Sequence, residues 1–151
     1  MFKRKEIPTM PHKNCINFAL TIAQHEVFLV FSNALSRFGI TPGQYGVLTC
    51  LWDKETSITP KEIAQTLHVE NSTISGVLDR MQKQGLVTRI LNPNNRRSIR
   101  VEATEKGWQL KDPLLHEIDS LNQRLLSNLT PAERQELFRL LGRIQGVSLS
   151  S

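Results

Sequence analysis

Cysteine is scarce in this chain of 151 residues: Cys15 and Cys50 are the only two, and they have no Cys-x-x-Cys spacing. A pair so placed supports neither a disulfide-stapled secreted framework nor a structural zinc site. The histidines, at 12, 25, 68 and 116, show no metal-ligand spacing with one another, so neither a metal nor another cofactor is expected. No stretch approaches the roughly 20 uninterrupted apolar residues of a membrane span. The opening MFKRKEIPTMPHK is basic without the apolar region a signal peptide requires. A cytoplasmic protein with no membrane partner is therefore expected. Catalytic signatures are missing as well. There is no glycine loop to cradle phosphate, no nucleophile motif and no carboxylate pair placed for acid-base work, which argues against an enzyme. Repeats and low-complexity segments are absent, and 39% hydrophobic with 22% charged residues describes a single ordinary domain with one well-filled core.

What is present is positive charge in one place. Residues 71–100 hold six basic residues, Arg80, Lys83, Arg89, Arg96, Arg97 and Arg100, against Asp79 alone, a local charge of +5 that equals the net charge of the whole chain. The first 13 residues add +3, so everything else sums to −3. A patch this concentrated points to a polyanionic partner.

Apolar residues at Ile16, Ala19, Ile22, Ala23, Phe28, Phe31 and Leu35 predict one long helix over 14–38 that Gly39 stops. Three later segments open alike: Thr41-Pro42-Gly43-Gln44, Thr59-Pro60-Lys61-Glu62 and Thr130-Pro131-Ala132-Glu133. In each, Thr caps a free amide, Pro stands where no donor is needed, and Gln or Glu reaches back to the cap. Between the last two, Asn71 or Ser72 is placed to cap a helix with an apolar face of Ile74, Val77, Leu78 and Met81, ended by Gly85. Its other face carries Ser72, Thr73, Ser75, Gly76, Arg80 and Lys83. Beyond Gly85, Leu86–Leu91 and Ser98–Ala103 are short β-type runs joined by a polar, basic turn over 92–97. Thr104 then opens a long helix to about 128 that Pro113 is expected to kink.

Helices over about 60–67 and 72–84, joined by His68-Val69-Glu70, make a helix-turn-helix, and the basic hairpin behind them makes it winged. Small and hydroxylated residues at the start of the second helix allow close approach to DNA and donation to phosphates or base edges. The predicted fold is mainly α with a small β-hairpin wing. It divides into a flexible basic arm (1–13), one domain (14–146, winged helix-turn-helix about 40–103) and a tail (147–151).

The stretches FGITPGQYGVLTCLW, ITPKEIAQTLHVENSTISGVLDRMQKQGLVTR and NPNNRRSIRVEATEKG, in this order and spacing, resemble the MarR family of bacterial transcriptional regulators over roughly residues 14–146. The resemblance implies a homodimer in which the outer helices, over 14–38, 104–128 and 130–146, pair two winged helices on a pseudo-palindromic DNA operator. It also implies a repressor released by a small-molecule effector, of aromatic or phenolic type. The family's recognition helix falls on Asn71–Gln84, making Ser72, Thr73, Ser75, Gly76, Arg80 and Lys83 contact candidates. The wing motif, commonly Asp-x-Arg, falls on Asn95-Arg96-Arg97, where Arg97 matches the arginine that enters the minor groove. Arg96, like Arg80 and Lys83, is expected to meet phosphate through its charge. Asn95 departs from the motif: it accepts a hydrogen bond from Arg97 without the carboxylate's charge.

Other readings remain open. Arg89 serves either a phosphate or the wing's support. His25, Phe28, Phe31, Tyr45 and Trp52 lie on helices that border an effector cavity in the family, although helical spacing serves a core first. Cys15 stands near the reactive cysteine of a peroxide-sensing branch, but that cysteine aligns near Asn17, and its assisting tyrosines near Thr21 and Phe31, so the branch's motif is absent. The alternative functions are a winged helix used for protein contact, a constitutive DNA-binding protein without a ligand, and a redox-sensing regulator acting through Cys15.

Overall fold

The computed structural model describes residues 15–92 and 94–145, leaving aside the side chains of Arg96 and Arg97. The predicted basic arm over 1–13 and the tail over 147–151 lie outside the described residues. The chain runs α1 (Ile16–Ser36), α2 (Pro42–Lys54), α3 (Pro60–Leu67), α4 (Asn71–Lys83), β1 (Val87–Asn92), β2 (Asn95–Ala103), α5 (Glu105–Gln109), α6 (Lys111–Leu125) and α7 (Pro131–Gln145).

All three Thr-Pro openings form the reciprocal cap their residues predict. Thr41 Oγ1 accepts from the Gln44 amide at 3.3 Å while the Thr41 amide donates to Gln44 Oε1 at 3.0 Å. Thr59 and Glu62 make the same pair at 3.2 and 2.7 Å, and Thr130 and Glu133 at 3.3 and 2.7 Å. Each closes two of the amides a helix start leaves unpaired. These bonds hold the Glu62 and Glu133 carboxyls below the usual glutamate range: the Thr backbone amide is the main cause and the Thr hydroxyl the second.

The other helix starts differ from expectation. Neither Asn71 nor Ser72 caps α4; both lie inside its first turn, Glu70 holds the cap position, and no side chain bonds there. The helix predicted from Thr104 to about 128 is divided at Leu110 into α5 and α6. Pro113 is the third residue of α6, where an amide would have no helical partner, so it opens a helix instead of kinking one.

The hairpin is antiparallel, with Val87 opposite Ala103 and Leu91 opposite Ile99. Its connection is tighter than the six residues predicted. Asn92 pairs with Asn95, and the Asn94 amide donates to Asn92 Oδ1 at 3.0 Å. The register shift leaves Arg96, Arg97 and Ser98 as extra residues of β2, the geometry of a bulge. A third extended segment, unread in the sequence, adds to β2: the Ile58 amide donates to Val101 O at 3.0 Å and the Val101 amide to Ile58 O at 2.7 Å.

The core draws on Val47, Leu48, Leu51 and Trp52 of α2, Ile63 of α3, Ile74, Leu78 and Met81 of α4, and Val87 and Val101 of the hairpin, closed by Leu35 of α1 and Leu114 of α6. Gly85, at φ +71°, makes the left-handed turn between α4 and β1. Gly107 is required by space, since a Cβ there would stand 2.4 Å from Leu86 O.

The outer helices are packed differently. Of the 21 residues of α1 only Ala34 and Leu35 are buried, and α7 buries none. By length and composition α1, at mean hydropathy 1.3, is apolar enough to cross a membrane, a property that a count of uninterrupted apolar residues misses. Polar residues Thr21, Gln24, His25 and Glu26 interrupt it.

Candidate nucleic-acid interface

Helix α4 sorts its residues cleanly by face. Ile74, Val77, Leu78 and Met81 are buried, whereas Ser72, Thr73, Ser75, Arg80 and Lys83 are exposed and Gly76 is half-exposed. A Cβ at Gly76 would meet nothing within 4 Å, so internal packing does not require the glycine. Among the described residues neither Arg80 nor Lys83 has an ion-pair partner. The six candidates on this helix therefore share one open face, small and hydroxylated toward its start and cationic toward its end.

Behind it the hairpin brings further cations, which differ in what they touch. Arg89, on β1, donates from Nη1 to Gln82 Oε1 at 2.8 Å and from Nη2 to Asp79 Oδ1 at 2.7 Å, so its fork grips two side chains of α4. Arg100, on β2, donates from Nε to Ser57 Oγ at 2.9 Å and from Nη2 to the Ser57 carbonyl. Arg96, Arg97 and Asn95 follow Asn94 on β2, at the bulge; the side chains of the two arginines lie outside the described residues.

Two glutamines hold α4 to the rest of the chain, and the sequence did not single out their pairing. Gln44, 2% exposed, donates from Nε2 to Gln84 Oε1 at 2.8 Å, and Gln84 Nε2 donates to Gly39 O at 3.2 Å. The residue that closes the α2 cap thus also ties the end of α4 to the turn after α1. A capping Gln gives no sign of burial, so the second bond has no signal in the sequence.

The five effector-pocket candidates are divided between core and surface. Trp52 is buried, donates from Nε1 to Gly107 O at 3.2 Å, and meets the half-buried Tyr45 edge to face with ring centroids 6.4 Å apart. Trp52 is thus packed into the core. Phe31 packs half-buried against the core, while His25 and Phe28 are exposed on α1. Burial, and secondarily Asp53, pushes the Tyr45 hydroxyl above its ordinary pKa. Away from these residues, a groove of about 550 Å³ runs between α1 and α6, walled by Leu29, Val30, Ala34 and Leu121 with Asn33, Arg37 and Arg124 at its edge. Arg37 bonds Glu117 at 2.5 Å, and Arg124 approaches the same carboxylate at 3.8 Å.

Cys15 is half-buried immediately before α1 and makes no side-chain cap there. Cys50 is buried in α2, and burial, followed by Asp53, pushes its thiol upward and away from the reactive thiolate. Among the described residues no group of three or more His, Cys, Asp or Glu is placed to hold a metal ion.

The winged-helix fold that carries this face is shared with known regulators. The MarR family model matches residues 40–99, from the turn before α2 into β2. The organic hydroperoxide resistance transcriptional regulator of Bacillus subtilis is 33% identical over 103 residues, covering 68% of this chain and 69% of that protein. Among solved structures, a mutant MarR from E. coli complexed with operator DNA superposes with a TM-score of 0.80 at 28% identity, over 85% of this chain and 92% of that one. CouR from Rhodococcus jostii RHA1 bound to p-coumaroyl-CoA superposes with a TM-score of 0.78 at 25% identity, over 91% and 96%. These relatives are transcriptional regulators and not enzymes, and the chain belongs to the MarR family of transcriptional regulators, with its DNA-binding winged-helix fold.

Proposed function

We propose that the protein is a homodimeric repressor that binds a pseudo-palindromic operator and is released from it by a small molecule. The observation that carries this reading is the open face of α4, where the residues the core does not use are the types that contact DNA. Ser72, Thr73, Ser75 and Gly76 would enter the major groove, and Arg80, Lys83 and Arg96 would neutralise phosphates. Arg97 would read a narrow minor groove, whose negative potential favours a guanidinium. Asn95 would support it by accepting a hydrogen bond.

Dimerisation is supported by the apolar surface of the outer helices. Ile16, Phe18, Ile22, Phe28 and Leu29 of α1 and Leu137, Phe138, Leu140 and Ile144 of α7 are all exposed in the single chain. Burying one such side chain is worth about 1.5–3 kcal/mol, so a surface of this extent favours a partner. A second copy accounts for the apolar length of α1 without a membrane, and the dimer would act on DNA in the cytoplasm. Ser32 Oγ, enclosed and without a hydrogen-bond partner among the described residues, lies one helical turn from Phe28, where a second chain or an effector would supply one.

An effector acts only by binding more tightly to the DNA-incompetent state. CouR's bound p-coumaroyl-CoA makes aromatic acyl thioesters and aromatic acids the first compounds to test. The name of the Bacillus subtilis relative adds organic hydroperoxide, with Cys15 as the thiol in question. The test is selection of bound sequences from random duplex DNA at fixed salt, followed by release assays with both classes of compound. An enriched palindrome released by one class supports the reading. No enriched sequence would sink the DNA-binding claim, and an operator released by neither class would favour a constitutive DNA-binding protein.

A further inference from the structure

Arg89 and Arg100 belong to the basic segment that marks this chain as DNA-binding, yet their side chains turn inward to the protein. Arg89 is opposite Val101 and Arg100 is opposite Ile90, so the two arginines stand on adjacent rungs of one ladder. Alternation along a strand sends them to opposite faces of the hairpin. From one face Arg89 grips Asp79 and Gln82, one turn apart on α4. From the other Arg100 grips the hydroxyl and carbonyl of Ser57, the residue before the Ile58–Val101 bridge, and its charge helps hold the Glu62 carboxyl low. The hairpin root is thus braced on one side to the recognition helix and on the other to the entry of α3.

We propose that Arg89 and Arg100 are positioning residues that fix the angle of the wing against α4, and so set which flanking base pairs the wing reads, without meeting phosphate themselves. The proposal rests on the reading of α4 and the wing as the DNA-contacting pair. Its physical basis is geometric. Both guanidiniums already spend donors on protein acceptors, and Arg89's partner Asp79 is the one carboxylate in the segment. Turning Arg89 to a phosphate would leave that carboxylate unpaired beside DNA. An isolated two-stranded hairpin is marginally stable at best, and here only its root is packed into the core, so braces on its two faces help set where its tip lies relative to the helix.

The test compares Arg89→Gln, Arg100→Gln and Asp79→Ala with wild type and with Arg80→Gln, using operator affinity across a salt series and the base preference at each operator position. A lost phosphate contact lowers the slope of log affinity against log salt by about 0.9. The positioning account expects that fall in Arg80→Gln. In Arg89→Gln and Arg100→Gln it expects an unchanged slope, an intact preference at the positions read by α4, and a flattened preference at the flanks. Asp79→Ala, which keeps Arg89 and frees it, is expected to flatten the flanks in the same way. A slope lowered in Arg89→Gln or Arg100→Gln, or flanks unchanged in all three variants, overturns the proposal.

A readout without DNA separates this failure from failure of the function itself. With spin labels at Asn94→Cys and Gln65→Cys in a Cys15→Ser background, the distance distribution between wing and α3 is expected to broaden in Arg89→Gln and Arg100→Gln and stay narrow in Arg80→Gln. Narrow distributions throughout overturn the brace whether or not the protein binds DNA. Wild type without operator affinity removes the DNA-reading role while leaving the brace to be judged by those distances.

Discussion

The middle of the chain and its two ends solve the burial problem differently. From Ile40 to Val101 nearly every large apolar side chain is packed, and the exceptions, Val69, Leu91 and Ile99, lie in the helix-turn-helix turn or on the hairpin. In α1 and α7 the proportions reverse, with apolar residues exposed along one helix and no buried residue at all on the other. The contrast separates two tasks. The middle buries its apolar groups and keeps polar ones outside, as the proposed contact with DNA requires, whereas the ends keep apolar groups outside, as the proposed pairing with a second copy requires.

The largest expected effect breaks the ends while sparing the middle. Phe138→Glu, 62% exposed in the single chain, should convert a dimer to a monomer by light scattering. It should also lower operator affinity on the order of 100-fold through lost bivalency, with helical content retained. A dimer persisting in this variant would show that α7 does not pair the chains. Next in size, Arg97→Ala should cost about 1–3 kcal/mol of DNA binding with little change in melting temperature. Affinity equal to wild type would remove the wing assignment.

Within the middle, Gln44→Ala deletes half of the α2 cap and strands Gln84, so a loss of about 1–3 kcal/mol in denaturant unfolding is expected. A loss confined to a few tenths would mean that the Gln44–Gln84–Gly39 chain carries little. Gly76→Ala separates fold from function. With open space above it, the variant should gain up to about 1 kcal/mol in stability while binding operator more weakly, because the methyl group occupies the approach to DNA. Unchanged affinity would take Gly76 out of the interface.

The smallest effect is in pH. The folded-state pKa values of Glu62 and Glu133 lie below the ordinary glutamate value, so their contribution is fully present above that value and lost as pH falls through the lowered ones. Replacing both by Gln should flatten the acid limb of the stability curve. An acid limb of unchanged slope would show that their charge adds nothing to the caps.

The helices are legible in the sequence wherever capping chemistry is local. Thr, Pro and Gln or Glu at fixed offsets need no tertiary information, and all three such starts form as expected. The α4 start misleads because Asn71 and Ser72 are cap-type residues one and two positions too late, inside the first turn of α4, whose cap position falls to Glu70 after the left-handed His68 that ends α3. Pro113 misleads because the break before it, at Leu110, has no proline or glycine to announce it. The open face of α4 follows from helical spacing alone. What Arg89 and Arg100 touch does not, since Asp79, Gln82 and Ser57 become their neighbours only once the hairpin folds back. The effector candidates divide between core and surface because aromatic spacing is the same for a core and for a cavity, and Trp52 went to the core.

The central claim is that two copies of the middle unit, joined by the ends, read DNA together. Hydroxyl-radical footprinting of the full chain on its selected operator tests it most directly. The account predicts two protected patches on one face of the duplex, related by a dyad and about one helical turn, roughly 34 Å, apart. A single patch, or uniform protection without symmetry, would contradict it.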